Sequence, residues 1–128
     1  MSSALIIEDS PIMRRRLQAI LLEVGYETVG EGATGEELFG LYATHRPTIV
    51  IMDIVLPGRD GIAIATDLLK RHPEALVIMC SSITSREKIL ACQKAGVAYY
   101  LLKPFEPEKL KAVVKFIVAT KGRSARAS

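Results

Sequence analysis

The acidic pair Glu8-Asp9, the single acid Asp53, the hydroxyl of Ser81 and the amine of Lys103 are the residues here that could do chemistry. Each directly follows a short apolar run: Ala4–Ile7, Ile49–Met52, Ala75–Cys80 and Val97–Leu102. Parallel strands present their carboxyl ends on one edge of a sheet, where ligands of open α/β sheets collect. Three carboxylates gathered there would repel one another and need a compensating positive charge. Oxygen donors of this kind suit Mg2+, which takes one or two carboxylates, keeps several waters and accepts a phosphate oxygen. Lys103 supplies a second positive charge. A carboxylate held between a divalent cation and an ammonium is placed to attack phosphorus, with both cations sharing the oxygens of the transferred group. The Ser81 hydroxyl can donate to one of those oxygens. An isolated acid after a strand would read as a turn residue; acids, hydroxyl and lysine at four strand ends together do not.

The elements that must position these residues follow from the pattern. Ile49–Met52 is apolar at every position, the mark of a strand buried on both faces in a parallel sheet. Asp53 ends it, and Pro57-Gly58 and Asp60-Gly61 turn the chain onward. Ser10 is a good N-cap, Pro11 fits the first helical turn, and Gly25 stops the helix. Ile12, Met13, Leu17, Ile20, Leu21 and Val24 form its apolar face. Glu27–Gly30 reads as a weak strand. Thr34 with Glu37, and Thr84 with Glu87, have the spacing of capping boxes. Those two helices end at His45-Arg46-Pro47 and at Gly96. Between them, Ile62–Arg71 is expected to turn Ile62, Ala65, Leu68 and Leu69 inward. The last helix opens at Glu106-Pro107 and places Leu110, Val113, Val114 and Ile117 on one face. Five strands alternating with five helices give an α/β chain with a doubly wound parallel sheet between two helical layers. Strand order 2-1-3-4-5 is one of two common solutions, and the pattern alone does not choose between them.

Composition narrows the function. At 128 residues and 49% hydrophobic, the chain makes one domain with a full core. The domain is expected over residues 1–120, with 121–128 a disordered basic tail. The formal charge of +3 comes from 17 basic and 14 acidic residues. Lys121, Arg123 and Arg126 in the tail account for that excess, so the domain is neutral and has no basic footprint for nucleic acid. Arg14-Arg15-Arg16 reads as a solvated helix face. His45 and His72 read as surface residues. Cys80 and Cys92 sit in apolar runs without metal-ligand spacing and read as buried, reduced thiols of a cytoplasmic protein. No stretch is long enough to span a membrane.

Glu8-Asp9, the Asp53…Pro57…Gly61 spacing, Ser81 and Lys103-Pro104-Phe105 together resemble the receiver domain of two-component response regulators, from Ala4 to about Ala119. The segment Glu8-Asp9-Ser10-Pro11-Ile12-Met13-Arg14-Arg15 is most similar to single-domain receivers of the chemotaxis type. The resemblance implies the flavodoxin-like fold with order 2-1-3-4-5. It implies that Asp53 is the phosphoacceptor and that Mg2+ is held by Asp9, by Glu8 through water, by Asp53 and by the Val55 carbonyl. Lys103 would pair with the phosphoryl group, and the Lys103–Pro104 peptide would be cis. Tyr100 falls at the switch aromatic, a ring expected to turn in from the surface as Ser81 moves toward the phosphoryl group. The implied donor is a histidine kinase or phosphotransfer protein. The implied output is a protein bound on the fourth helix, fifth strand and fifth helix. The departures are Glu8 where Asp is frequent, Ser82 where a smaller residue is common, and Tyr99 where an acid is often found.

Other readings make different demands. A phosphatase of haloacid-dehalogenase type needs a second acid two residues after its nucleophile, and Val55 stands there. A flavodoxin-like cofactor binder wants amides and hydroxyls after the first strand, where Glu8-Asp9 would repel a phosphate. The chain could also be the receiver part of a longer regulator with a DNA-binding or enzymatic output. On the receiver reading, catalysis is confined to self-phosphorylation and self-dephosphorylation at Asp53.

Overall fold

A computed structural model describes the backbone of residues 2–127 and the side chains of residues 2–120. The elements run β1 (Ser2–Ile7), α1 (Pro11–Glu23), β2 (Tyr26–Gly32), α2 (Glu37–His45), β3 (Ile49–Met52), α3 (Gly61–Arg71), β4 (Val77–Ser81), α4 (Arg86–Ala95), β5 (Tyr99–Leu102) and α5 (Pro107–Ala127). The five strands form one parallel sheet in the order β2-β1-β3-β4-β5. This is the flavodoxin-like arrangement, and β1 and β3 are adjacent at its centre. The side chains of the expected tail, 121–128, lie outside the described residues.

Alternate residues of the strands supply the two halves of the core, because successive side chains leave opposite faces of a strand. Leu5, Ile7, Val50, Met52, Val77 and Met79 meet α2, α3 and α4 on one face. Ala4, Ile6, Ile49, Ile51, Ile78 and Cys80 meet α1 and α5 on the other. All four residues of β3 are buried, and each such side chain is worth about 1.5–3 kcal/mol. A one-residue slip of β3 would draw Asp53 into the apolar layer. The strand's core packing therefore fixes where that carboxylate stands.

Local details correct several expectations. β2 is longer than Glu27–Gly30, because parallel pairing with β1 continues to Gly32 past an irregularity in register between Ala4 and Leu5. Ile12 is 79% exposed; it lies in the first turn of α1 and does not join Leu17, Ile20 and Leu21, which the helix buries. Ile64, not Ile62, is the fully buried isoleucine of α3. Thr34 does not cap α2. Glu37 instead reaches back to accept from the Ala33 amide at 2.8 Å. Helix α4 is capped by Ser85, whose hydroxyl accepts from the Lys88 amide, one residue later than the Thr84 expected.

Candidate functional site

Glu8 follows β1, Asp53 follows β3, Ser81 ends β4 and Lys103 follows β5, all on one edge of the sheet. Lys103 Nζ donates to Glu8 Oε1 at 2.7 Å and to Asp53 Oδ2 at 2.9 Å. Both acids are buried, with Glu8 4% and Asp53 8% exposed. One ammonium thus binds two desolvated carboxylates and leaves net negative charge. Burial by itself would lower the pKa of Lys103; the hydrogen bonds to Glu8 and Asp53 outweigh it and raise the value. The Asp53 amide donates to Ile7 O, extending the ladder by one residue, and Asp53 Oδ1 accepts from the Val55 amide at 3.2 Å.

The acidic pair divides its work. Glu8 Oε2 accepts from the Ser10 amide at 3.1 Å, so both of its carboxylate oxygens are engaged within the protein. Asp9 is exposed. The expected clustering of three carboxylates is therefore corrected: among the described residues no three His, Cys, Asp or Glu side chains converge as a metal cage. Adjacent residues of an extended chain point apart, which sends Glu8 inward and Asp9 out. Two buried carboxylates sharing one ammonium, with a third acid at the rim, still form an all-oxygen donor set of the kind a partly hydrated Mg2+ takes.

Asp60 caps α3 by accepting from the Ile62 and Ala63 amides at 2.6 and 3.3 Å. Gly61 comes next, and a Cβ there would lie 2.1 Å from Asp53 O and 2.7 Å from Ile54 Cα. Only glycine lets the start of α3 pack directly against the backbone of Asp53 and Ile54 just after β3.

Ser81 is fully buried, and its hydroxyl accepts from the Ile83 amide at 3.4 Å. The Tyr100 hydroxyl donates to Ile83 O at 2.6 Å. The ring packs against the core face of α2, α3 and α4. Tyr100 is thus already turned inward, which corrects the expectation that it starts from the surface; Ile83 O is the acceptor that draws it in. Burial raises the pKa of its phenol, against the lowering effect of the Ser81 hydroxyl. The Lys103–Pro104 peptide is cis, as the resemblance implies.

The family of response regulator receiver domains matches residues 4–115. The chain belongs to that family. This receiver is a phosphoacceptor signalling domain of two-component systems. It is 35% identical over 106 residues to the chemotaxis protein CheY of Thermotoga maritima, covering 83% of this chain and 88% of the relative. It is 37% identical to CheY of Halobacterium salinarum, covering 90% and 96%. The transcriptional regulatory protein PdtaR of Mycobacterium tuberculosis is 35% identical, and the receiver spans 56% of it. Among solved structures, CheY in the CheX-CheY-BeF3-Mg+2 complex of Borrelia burgdorferi superposes with a TM-score of 0.87 at 27% identity, covering 91% of this chain and 88% of that one. TrrA of Thermotoga maritima with Mg(2+)-BeF gives 0.82 at 29%, covering 91% and 99%. These likenesses support a receiver of the chemotaxis type.

Sequence reasoning missed Arg14. It is the least exposed of its arginine run, and it turns back from α1 onto the Glu8 carbonyl. Its spacing of four from Gln18 was the available signal, since both side chains reach Glu31. His45 is exposed as expected. His72 is partly covered by Tyr42, with ring centroids 4.8 Å apart, and Arg46 lies 3.2 Å from its Nδ1. His45 is the last residue of α2, and His72 caps the C-terminus of α3. Cys80 and Cys92 are free and buried. No described helix is long and apolar enough to cross a membrane.

Proposed function

We propose that Asp53 accepts the phosphoryl group, in a Mg2+-dependent transfer from the phosphohistidine of a kinase or phosphotransfer protein in the cytoplasm. The observation that carries this is the two-armed contact of Lys103 with Asp53 and Glu8 at the carboxyl edge of the sheet. Asp9, Asp53 and the Val55 carbonyl would hold Mg2+, with Glu8 acting through water because both its carboxylate oxygens are already engaged. The cation supplies neutralising charge for the phosphoryl oxygens. Lys103 holds Asp53 in place before transfer and follows the new negative charge after it. Ser81 offers a hydroxyl to a phosphoryl oxygen, and Tyr100 senses the movement through Ile83.

The output reading is a protein bound on α4, β5 and α5. Leu90, Leu102 and Phe116 are exposed on these three elements, and a groove runs between Ile89, Cys92, Val97 and Leu102. The neutral domain supports protein recognition over direct contact with nucleic acid.

Incubation with acetyl phosphate and Mg2+, followed by intact mass measurement, tests the acceptor. The wild type should gain one phosphoryl group and Asp53→Asn none. Full labelling of the Asn variant would overturn the assignment.

A further inference from the structure

We propose that Arg14 is a positioning residue that sets the Glu8–Asp9 peptide, and with it the direction in which the acidic pair meets Mg2+. The inference rests on the reading of that pair as the metal-holding acids. In a helix, side chains lean toward the N-terminus. Arg14, in the first turn of α1, therefore reaches past the helix start and back over the β1–α1 loop. Its Nη1 donates to Glu8 O at 2.5 Å, and its Nε donates to Glu31 Oε1 at 2.8 Å. Gln18, one turn on, donates to Glu31 Oε2 at 2.6 Å. Glu31 in β2 is thus held on both carboxylate oxygens by two side chains of α1, and it holds the guanidinium in return.

The Arg14 side chain is 18% exposed. The Glu8 amide donates to Gly32 O at 3.0 Å, so Glu8 is tied to the end of β2 on one side and to α1 on the other. The Glu8 carbonyl belongs to the peptide that leads into Asp9. Fixing its plane fixes how the inward acid and the outward acid leave the backbone. The planar fork of arginine presents separate nitrogens to two acceptors in a fixed plane, whereas a lysine ammonium offers rotatable donors from a single nitrogen. Groups that orient a metal ligand without touching the metal typically change affinity by 10–100-fold.

A charge effect has the opposite sign. An arginine near the acids repels Mg2+, so its removal would tighten binding if charge were all that mattered. Titrating Mg2+ calorimetrically into wild type, Arg14→Lys and Arg14→Met, with a melting curve for each, separates the readings. Positioning predicts that both variants bind Mg2+ about tenfold more weakly, although Lys keeps the charge. It also predicts a displaced Asp9 amide resonance in both variants before any metal is added. Unchanged or tighter Mg2+ binding in either variant, or an unmoved Asp9 resonance in the folded protein, overturns the inference. A melting temperature that falls while Mg2+ affinity holds leaves Arg14 merely structural and also overturns it. Failure of the wild type to bind Mg2+ would instead overturn the reading of the acidic pair, which the metal-free Asp9 resonance keeps distinct.

Discussion

Lys103 is the residue on which the buried charges depend. Removing one partner of a buried charge set costs about 3–5 kcal/mol, because the charges left behind have lost their compensation. Lys103→Met should therefore lower the unfolding free energy by about that much in urea at neutral pH. Mg2+ should raise the melting temperature of this variant more than that of the wild type, since the cation replaces the missing charge. An equal rise in both would argue against a shared electrostatic site. The pH dependence has a definite sign. The folded pKa of Lys103 is raised above 10.5. Its contribution is complete below the unfolded value and is lost as pH climbs through the higher folded one. The stability gap between wild type and Lys103→Met should stay constant up to about pH 10 and narrow above it. Paired urea titrations across that range measure it.

At the scale of elements, the start of α3 is where fold and site meet. Asp60 satisfies two free amides of the helix, so Asp60→Ala should cost about 1 kcal/mol of stability. Gly61→Ala acts differently. Its methyl group would meet the backbone of Asp53 and Ile54 rather than a flexible side chain. The helix start and the backbone after β3 must then separate, at a cost of about 1–3 kcal/mol. That displacement falls on Asp53, the proposed acceptor. Gly61→Ala should therefore slow labelling by acetyl phosphate several-fold, whereas Asp60→Ala should leave the rate nearly unchanged. Measuring both variants by urea unfolding and by labelling rate separates the cap from the close approach. Equal labelling rates would show that α3 does not set the geometry of Asp53.

Across the whole molecule, two properties belong to the assembled fold. The first is thiol protection. Burial pushes the Cys80 thiol up to about 12 and raises Cys92 as well. Both should resist an aromatic disulfide reagent at pH 8 and react together only on global unfolding; fast labelling of either in the native protein would contradict the packing. The second is the switch. A phosphoryl group shifts the equilibrium only by its differential affinity for two states, about 1–3 kcal/mol of coupling. With Tyr100 already bonded to Ile83, phosphorylation should strengthen an arrangement that the resting protein populates. Ser81→Ala and Tyr100→Phe should both still be labelled at Asp53. Their magnetic resonance shifts on α4, β5 and α5 should respond less to beryllofluoride than those of the wild type. Equal responses would remove the hydroxyl pair from the link.

Much of this was legible in the chain itself. Unbroken apolar runs such as Ile49–Met52 determine buried parallel strands, because only a sheet covered on both faces can hide every residue. The acids, hydroxyl and lysine that end those runs determine one functional edge, since parallel strands finish together. Strand order was not contained in the pattern, because equal apolar strands can be arranged in more than one way. It came with the resemblance and was found in the fold. What only the tertiary structure decided concerns directions and long-range partners. Adjacent acids of an extended chain must point apart; the fold decided that Glu8 is the one turned in, where Lys103, 95 positions away, donates to it. Arg14 left the solvated face because Glu31 and the Glu8 carbonyl converge above the start of α1. Tyr100 turned inward because Ile83 offers a carbonyl on a neighbouring loop. Local periodicity carries which face of an element is apolar; it carries nothing about which polar atom from a distant strand completes a hydrogen bond.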